Sequence, residues 1–171
     1  MPERFRRIAR VQKAHGRTGE VVAVPAHGLP VLVRTGLEVA VVPPPLRGSR
    51  WHTVTSCSSD DRVGALVALS GVGDISAAEA LVGRFLLARV RDLPDDLALR
   101  DADALVGREV ACDDGSGGRI SEVLRGPAND VWVVRGPRGE LLLPVVDHVV
   151  SVVPDEGPIA VRVPAGLAWE A

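Results

Sequence analysis

Apolar and polar positions along the first half of the chain fall into short runs, each ended within a few residues by Gly, Pro, Ser or a charge. The runs are Phe5–Val11, Glu20–Val24, Leu37–Val42, His52–Cys57, Gly64–Leu69 and Phe85–Arg89. Their β-branched content between such bounding residues predicts strands. One segment alone reads as helix. Ser76 and Glu79 have the spacing of a capping box, Ile75 is placed to staple against Ala80, and Gly83 follows as a stop. Short strands without a repeated strand–helix alternation point to a closed barrel rather than a parallel sheet.

The stretch from Asp92 to Asp103 is acidic, broken by Pro94 and only weakly periodic, the composition of a boundary between domains. Beyond it, Glu109–Cys112 and Arg119–Leu124 flank a glycine-rich connection from Asp113 to Gly118. Val131–Arg135, Glu140–Val146, Val149–Val153 and Ile159–Val163 supply further strands. The expectation is an all-β fold: a first barrel over residues 1–91 with one short helix, a short acidic linker over 92–103, and a second small barrel over 104–171.

Composition narrows the class. With 171 residues, 46% of them hydrophobic and 25% charged, the chain can bury one medium core or two small ones. No apolar run approaches the roughly 18 residues of a membrane span. The charged start from Met1 to Arg7 is followed by no signal-peptide core, so the expected address is cytoplasmic and no membrane partner is expected. Cys57 and Cys112 lack any metal or redox spacing and read as two reduced thiols.

The net charge of −2 conceals a polarity. Residues 1–91 hold 13 basic and 7 acidic side chains, a net of +6, whereas residues 92–171 hold 7 and 15, a net of −8. Arg4, Arg6, Arg7, Arg10, Lys13 and Arg17 face a single acid, Glu3, in the first 19 residues. Such a cluster suits a phosphate backbone, or else it is balanced by acids of the second half in the folded protein.

Candidate catalytic chemistry is sparse. His15, His27, His52 and His148 have no metal-ligand spacing, and the neighbours Asp147 and His148 would point to opposite faces of a strand, so no metal site is expected. The glycines of residues 115–118 lack the Lys and Ser/Thr of a phosphate-binding loop. The paired acids Asp60–Asp61, Asp95–Asp96 and Asp113–Asp114 fall in turns. No catalytic residue and no cofactor are expected. Three tryptophans and two phenylalanines are too few for RNA to be held mainly by stacking, so an RNA contact would rest on phosphates and shape.

The segment from Arg10 to Val24 places Lys13, His15 and Arg17 in a turn punctuated by Gly16 and Gly19. By itself that is a solvated hairpin or a contact for a polyanion. In order after it come Asp60 to Gly83, with a strand ending in Gly71-Val72 and a helix over Ala78-Glu79; then Gly126 to Val134; then Leu142 to Pro144, Val149 to Val153 and Pro164 to Leu167. This ordered set, from about Phe5 to Leu167, resembles the RimM family of bacterial small-subunit assembly factors. The second half is similar to the PRC-barrel domain such proteins carry, and the first half to their own N-terminal barrel.

The resemblance implies a non-enzymatic factor that binds the immature small ribosomal subunit, assisting assembly of its head domain and rRNA processing. It implies small-subunit rRNA and head protein S-nineteen as partners, and a monomer. The residues expected to meet RNA are Arg10, Lys13, His15 and Arg17. Those expected to meet the ribosomal protein are Asn129, Asp130, Trp132, Glu140, Leu143 and Asp147, with Trp132 and Leu143 as anchors. Trp132 also reads as a core residue. Ala9 replaces a usual glycine, and Arg100, Asp101 and Ala102 stand where the family tends to carry an aromatic cluster, so that contact is not carried over. Two rivals stay open: a barrel-fold RNA-modifying enzyme, recognisable by a pocket joining His15 or His148 to an acid, and a PRC-barrel interaction module unconnected with ribosomes.

Overall fold

The computed structural model describes residues 2–60, 62 and 64–171, and it divides into two compact units, Met1–Pro94 and Asp95–Ala171. Asp61, one of the paired acids, lies outside the described residues. In the first unit, β1 (Phe5–His15), β2 (Glu20–Pro25), β3 (Glu38–Val42), β4 (Trp51–Ser59), β5 (Ala65–Leu69) and β6 (Phe85–Arg89) close into a barrel in the order β1-β2-β5-β4-β3-β6. All six pairs are antiparallel. Closure leaves no open sheet edge, and it encloses Ile8, Val11, Val21, Val39, Val54, Val67 and Leu86, each with no exposed surface. Burying side chains of this kind contributes about 1.5–3 kcal/mol apiece, before the entropy of ordering the chain is counted.

The helix α1 (Ile75–Glu79) forms, but its cap differs from the expected capping box. Asp74 stands at the N-cap and its carboxylate accepts from the Ala77 N–H at 2.8 Å. Ser76 therefore lies inside the helix, and so does Ile75, which does not act as a staple. Aspartate two residues upstream provides the oxygen at the reach that the free N–H groups of the first turn require. The chain then leaves through Gly83 at φ +83°, and the Gly83 N–H returns to the Val11 carbonyl at 2.8 Å, which ties the helix exit to β1. His52 is buried, with Nδ1 2.7 Å from the Ser70 carbonyl and Nε2 2.9 Å from the Ser49 carbonyl. It braces two loops of the barrel.

The second unit begins inside the segment read as a linker. After a 3₁₀ turn at Val90–Asp92, two short helices follow, α2 (Leu97–Arg100) and α3 (Ala102–Leu105). Leu97, Asp101 and Leu105 are buried, and Asp101 accepts from the Ala104 N–H. Few as they are, these leucines have apolar surface to hide, and that makes the stretch part of a core. Strands β7 (Glu109–Cys112), β8 (Gly117–Leu124), β9 (Val131–Gly136), β10 (Gly139–Pro144) and β11 (Ile159–Val161) form a five-stranded sheet in the order β10-β9-β8-β7-β11. All neighbours are antiparallel except β11, which runs parallel to β7.

The expected strand Val149–Val153 is absent. Val146 accepts from the N–H group of Val149 and that of Val150, forming a turn, and Pro154 follows closely, so no ladder develops. Val149 and Val150 are nonetheless buried. The outer side of β10 is met by the end of the chain: Glu140 and Glu170 exchange backbone hydrogen bonds of 2.7 and 2.8 Å. Only glycine fits beside this contact, since a Cβ on Gly139 would lie 2.0 Å from the Glu170 carbonyl oxygen and its φ is +111°.

Candidate functional site

Cationic residues sit three apart at the start of the chain: Arg4, Arg7, Arg10 and Lys13. On a regular strand, residues three apart point to opposite faces. Two β-bulges in β1 undo that rule. Register shifts between Arg7 and Ala9 against β6, and between Val11 and Lys13 against β2. Each bulge inserts one residue and re-phases the remainder of the strand. Ile8 and Ala9 accordingly both point inward, Val11 also points inward, and Arg7, Arg10, Gln12 and Lys13 are all exposed.

The turn beyond β1 continues this face. His15 pairs with Glu20 across the hairpin, and Gly16, Arg17, Thr18 and Gly19 make the loop. Gly19 is held at φ +92° with its α-carbon so close to the loop before α1 that a Cβ would lie 2.4 Å from the Val72 carbonyl oxygen. The turn is thus pressed against the barrel, while His15 and Arg17 stay exposed. The structure brings the four expected RNA-contact residues, Arg10, Lys13, His15 and Arg17, onto one strand and its turn. Among the described residues Arg10, Lys13 and Arg17 meet no carboxylate, and the Arg7 guanidinium lies 4.6 Å above the Phe85 ring. Arg7 belongs to the N-terminal cations visible in the sequence but not to the expected site. Its signal is a pair of doublets that break alternation, apolar Ile8-Ala9 and polar Gln12-Lys13, each marking a bulge.

The six residues expected to meet a ribosomal protein are not all on the surface. Trp132 and Leu143 have no exposed surface and pack in the core of the second unit with Ile120, Leu141 and Ile159. Both face inward on paired strands, Leu143 opposite Trp132, so neither is an anchor for a partner. The Trp132 indole N–H is buried with no hydrogen-bond partner among the described residues. Glu140 lies beside the C-terminal tail, and its carboxylate is 3.0 Å from Arg135. The other three converge. Asn129, Asp130 and Asp147 line one groove of about 280 Å³ together with Asp96 and Arg100. Asp130 is nearly buried there and is bonded to Arg125.

Three further titratable groups, Cys57, Cys112 and Asp114, are held in local structural contacts. Cys57 donates to the Val33 carbonyl, and burial raises its thiol pKa; burial does the same for Cys112. Ser116 donates to Asp114 through both its hydroxyl and its backbone N–H, which holds that carboxyl below the usual range. The same Ser116 hydroxyl accepts from the Trp169 indole N–H at 3.1 Å, so the β7–β8 turn also fixes the tail. Among the described residues no group of three or more His, Cys, Asp or Glu side chains is arranged to hold a metal, and no helix is long and apolar enough to cross a membrane.

Fold and surface together define an all-β protein of two units, one a closed barrel whose first strand and turn display Arg7, Arg10, Lys13 and Arg17 without a carboxylate partner among the described residues, the other an acidic sheet in which Arg119, Arg125, Arg135 and Arg138 are ion-paired. Relatives give the class a name. The chain is 32% identical over 164 residues to the ribosome maturation factor RimM of Geobacter metallireducens, covering 94% of this chain and 93% of that one. It is 30% identical over 170 residues to that of Heliobacterium modesticaldum, covering 94% and 96%. Among solved structures, the N-terminal domain of RimM from Thermus thermophilus is 26% identical, covers 53% of this chain and 95% of its own, and superimposes with a TM-score of 0.41. No family model matches. The chain belongs to the RimM family of ribosome maturation factors.

Proposed function

We propose that this protein is a ribosome maturation factor that binds the immature small ribosomal subunit, assists assembly of its head domain and thereby promotes rRNA processing, without carrying out a covalent step. The observation that carries this reading is the outward run of Arg7, Arg10 and Lys13 continued by Arg17, none of which meets a carboxylate among the described residues. Cations left without internal counter-ions release bound counter-ions from a phosphate backbone at little cost in lost ion pairs. The second unit holds 7 basic and 14 acidic side chains from Asp95 onward, which suits a cationic partner, here head protein S-nineteen. Its groove around Asn129, Asp130 and Asp147 is the contact surface in this reading.

The factor works by differential binding. It holds a native-like arrangement of the head more tightly than misfolded ones and shifts the population towards it, for which neither a cofactor nor nucleotide hydrolysis is required. It acts as a monomer in the cytoplasm. Co-sedimentation with free small subunits, mature small subunits and whole ribosomes tests the reading. Preferential recovery with free, immature subunits is expected, and recovery equal for all three particles, or with none, overturns it.

A further inference from the structure

Beside the cationic run, the barrel carries a groove of about 210 Å³ lined by Arg7, Arg10, Gln12, Pro25, His27 and Phe85, among others. Its volume is below the roughly 300–1,000 Å³ of sites that enclose a drug-sized ligand, and so it suits one planar ring rather than a dinucleotide. One wall is a ready-made stacking platform. The Arg7 guanidinium, a flat delocalised cation, lies 4.6 Å above the Phe85 ring, and an arginine held in this way presents a planar surface on which a base stacks. Pro25 adds apolar wall, and the Gln12 amide carries both donors and an acceptor for a base edge. Arg10, without a carboxylate partner among the described residues, lines the same groove and continues into the phosphate-binding run.

We infer that this groove captures a single unpaired ribonucleotide, its base stacked on the Arg7–Phe85 pair and its phosphate held by Arg10. The inference rests on the reading of the β1 face as an RNA contact and gives it a preference: RNA with an unstacked nucleotide over continuous duplex. One base in one groove does not make stacking the main source of affinity, which stays with the phosphates. It makes the factor select a place where the RNA has not closed into a helix.

The test uses the full chain and fluorescently labelled RNA at low salt, with two probes: a perfect RNA duplex, and the same duplex carrying one bulged nucleotide. Anisotropy titration of the unaltered protein should show tighter binding to the bulged probe by about tenfold, the size of one base stack. Phe85→Leu should remove most of that preference, bringing the affinity for the bulged probe down to that for the duplex. Because Phe85 is half-buried on a barrel strand, Arg7→Met on the exposed side is the second variant, with the same expected loss of preference. Arg10→Gln should weaken both probes. Equal binding of the two probes by the unaltered protein, or a preference that survives both Phe85→Leu and Arg7→Met, overturns the groove assignment while the RNA reading stands. Failure to bind either probe, together with failure to bind free small subunits, overturns the RNA reading and the groove with it.

Discussion

The two units differ in where their cations find internal partners. In the second, Arg119 meets Glu109 at 2.6 Å, Arg135 meets Glu140 at 3.0 Å, Arg138 meets Asp114 at 3.4 Å, Arg125 is bonded to Asp130, and Arg108 donates to the carbonyls of Pro154 and Gly157. The first unit also engages arginines on its other strands and loops: Arg89 with Glu3 and Glu38, and Arg84 with the Ala80 and Pro43 carbonyls. Along β1 and its turn, by contrast, Arg7, Arg10, Lys13 and Arg17 stand together without a carboxylate among the described residues. What matters for recognising a polyanion is therefore where cations lack internal counter-ions, and net charge by itself does not report that. The second unit, at −7, engages Arg108, Arg119, Arg125, Arg135 and Arg138 internally, whereas the first, at +5, leaves Arg7, Arg10, Lys13 and Arg17 without a carboxylate among the described residues.

Four measurements bear on this contrast, and the largest expected effect is on stability. If the second unit meets its partner through surface charge alone, Trp132→Ala should lower folding stability by about 3–5 kcal/mol through the cavity it leaves, measured by denaturant unfolding. A variant of unaltered stability that loses affinity for the head protein would return Trp132 to the interface. Next, Lys13→Glu with Arg17→Glu should weaken binding to free small subunits by about 100-fold, as expected when two charge-assisted contacts are reversed, with no change in the circular dichroism of the fold. The slope of log affinity against log salt should flatten by up to about two units. An unchanged slope would make the turn an ordinary solvated hairpin.

Smaller effects belong to the paired arginines. Arg125→Ala leaves the nearly buried Asp130 carboxylate without its guanidinium and should cost about 1–2 kcal/mol of stability, whereas Arg119→Ala, on an exposed pair, should cost less than about 0.5 kcal/mol. Equal costs would show that burial does not separate the two pairs. The smallest effect is at Asp114. Its carboxyl is held below the usual range by Ser116, so this contribution is present at neutral pH and is lost as pH falls through the lowered value. The destabilisation caused by Ser116→Ala should accordingly be fullest near pH 7 and narrow in acid, followed by the fluorescence of Trp169. A pH-independent difference would leave only the Trp169 hydrogen bond to explain it.

Much of the barrel was legible in the residues themselves. β-branched runs bounded by turn residues identified its strands, since such side chains fit a pleated, half-buried surface, and the cationic stretch was visible by count. The basic turn was legible too, because Gly16 and Gly19 declare a reversal. Val149–Val153 misled because a run of valines has the same local pattern whether it pairs in a ladder or simply covers a core.

Strand segments, the charge polarity of the two halves and the position of the cationic run all follow from the chain's own order of residues, because they depend on residue type and local spacing. Which side chains face out is a matter of tertiary structure. The bulges in β1 depend on how β6 and β2 register against it, and they put Arg7, Arg10 and Lys13 on one face. The burial of Trp132 and Leu143 depends on which face of the second sheet is covered, and the gathering of Asn129, Asp130 and Asp147 depends on loops folding back on that sheet. Register and coverage are contacts between residues far apart in the chain, and local pattern carries no record of them.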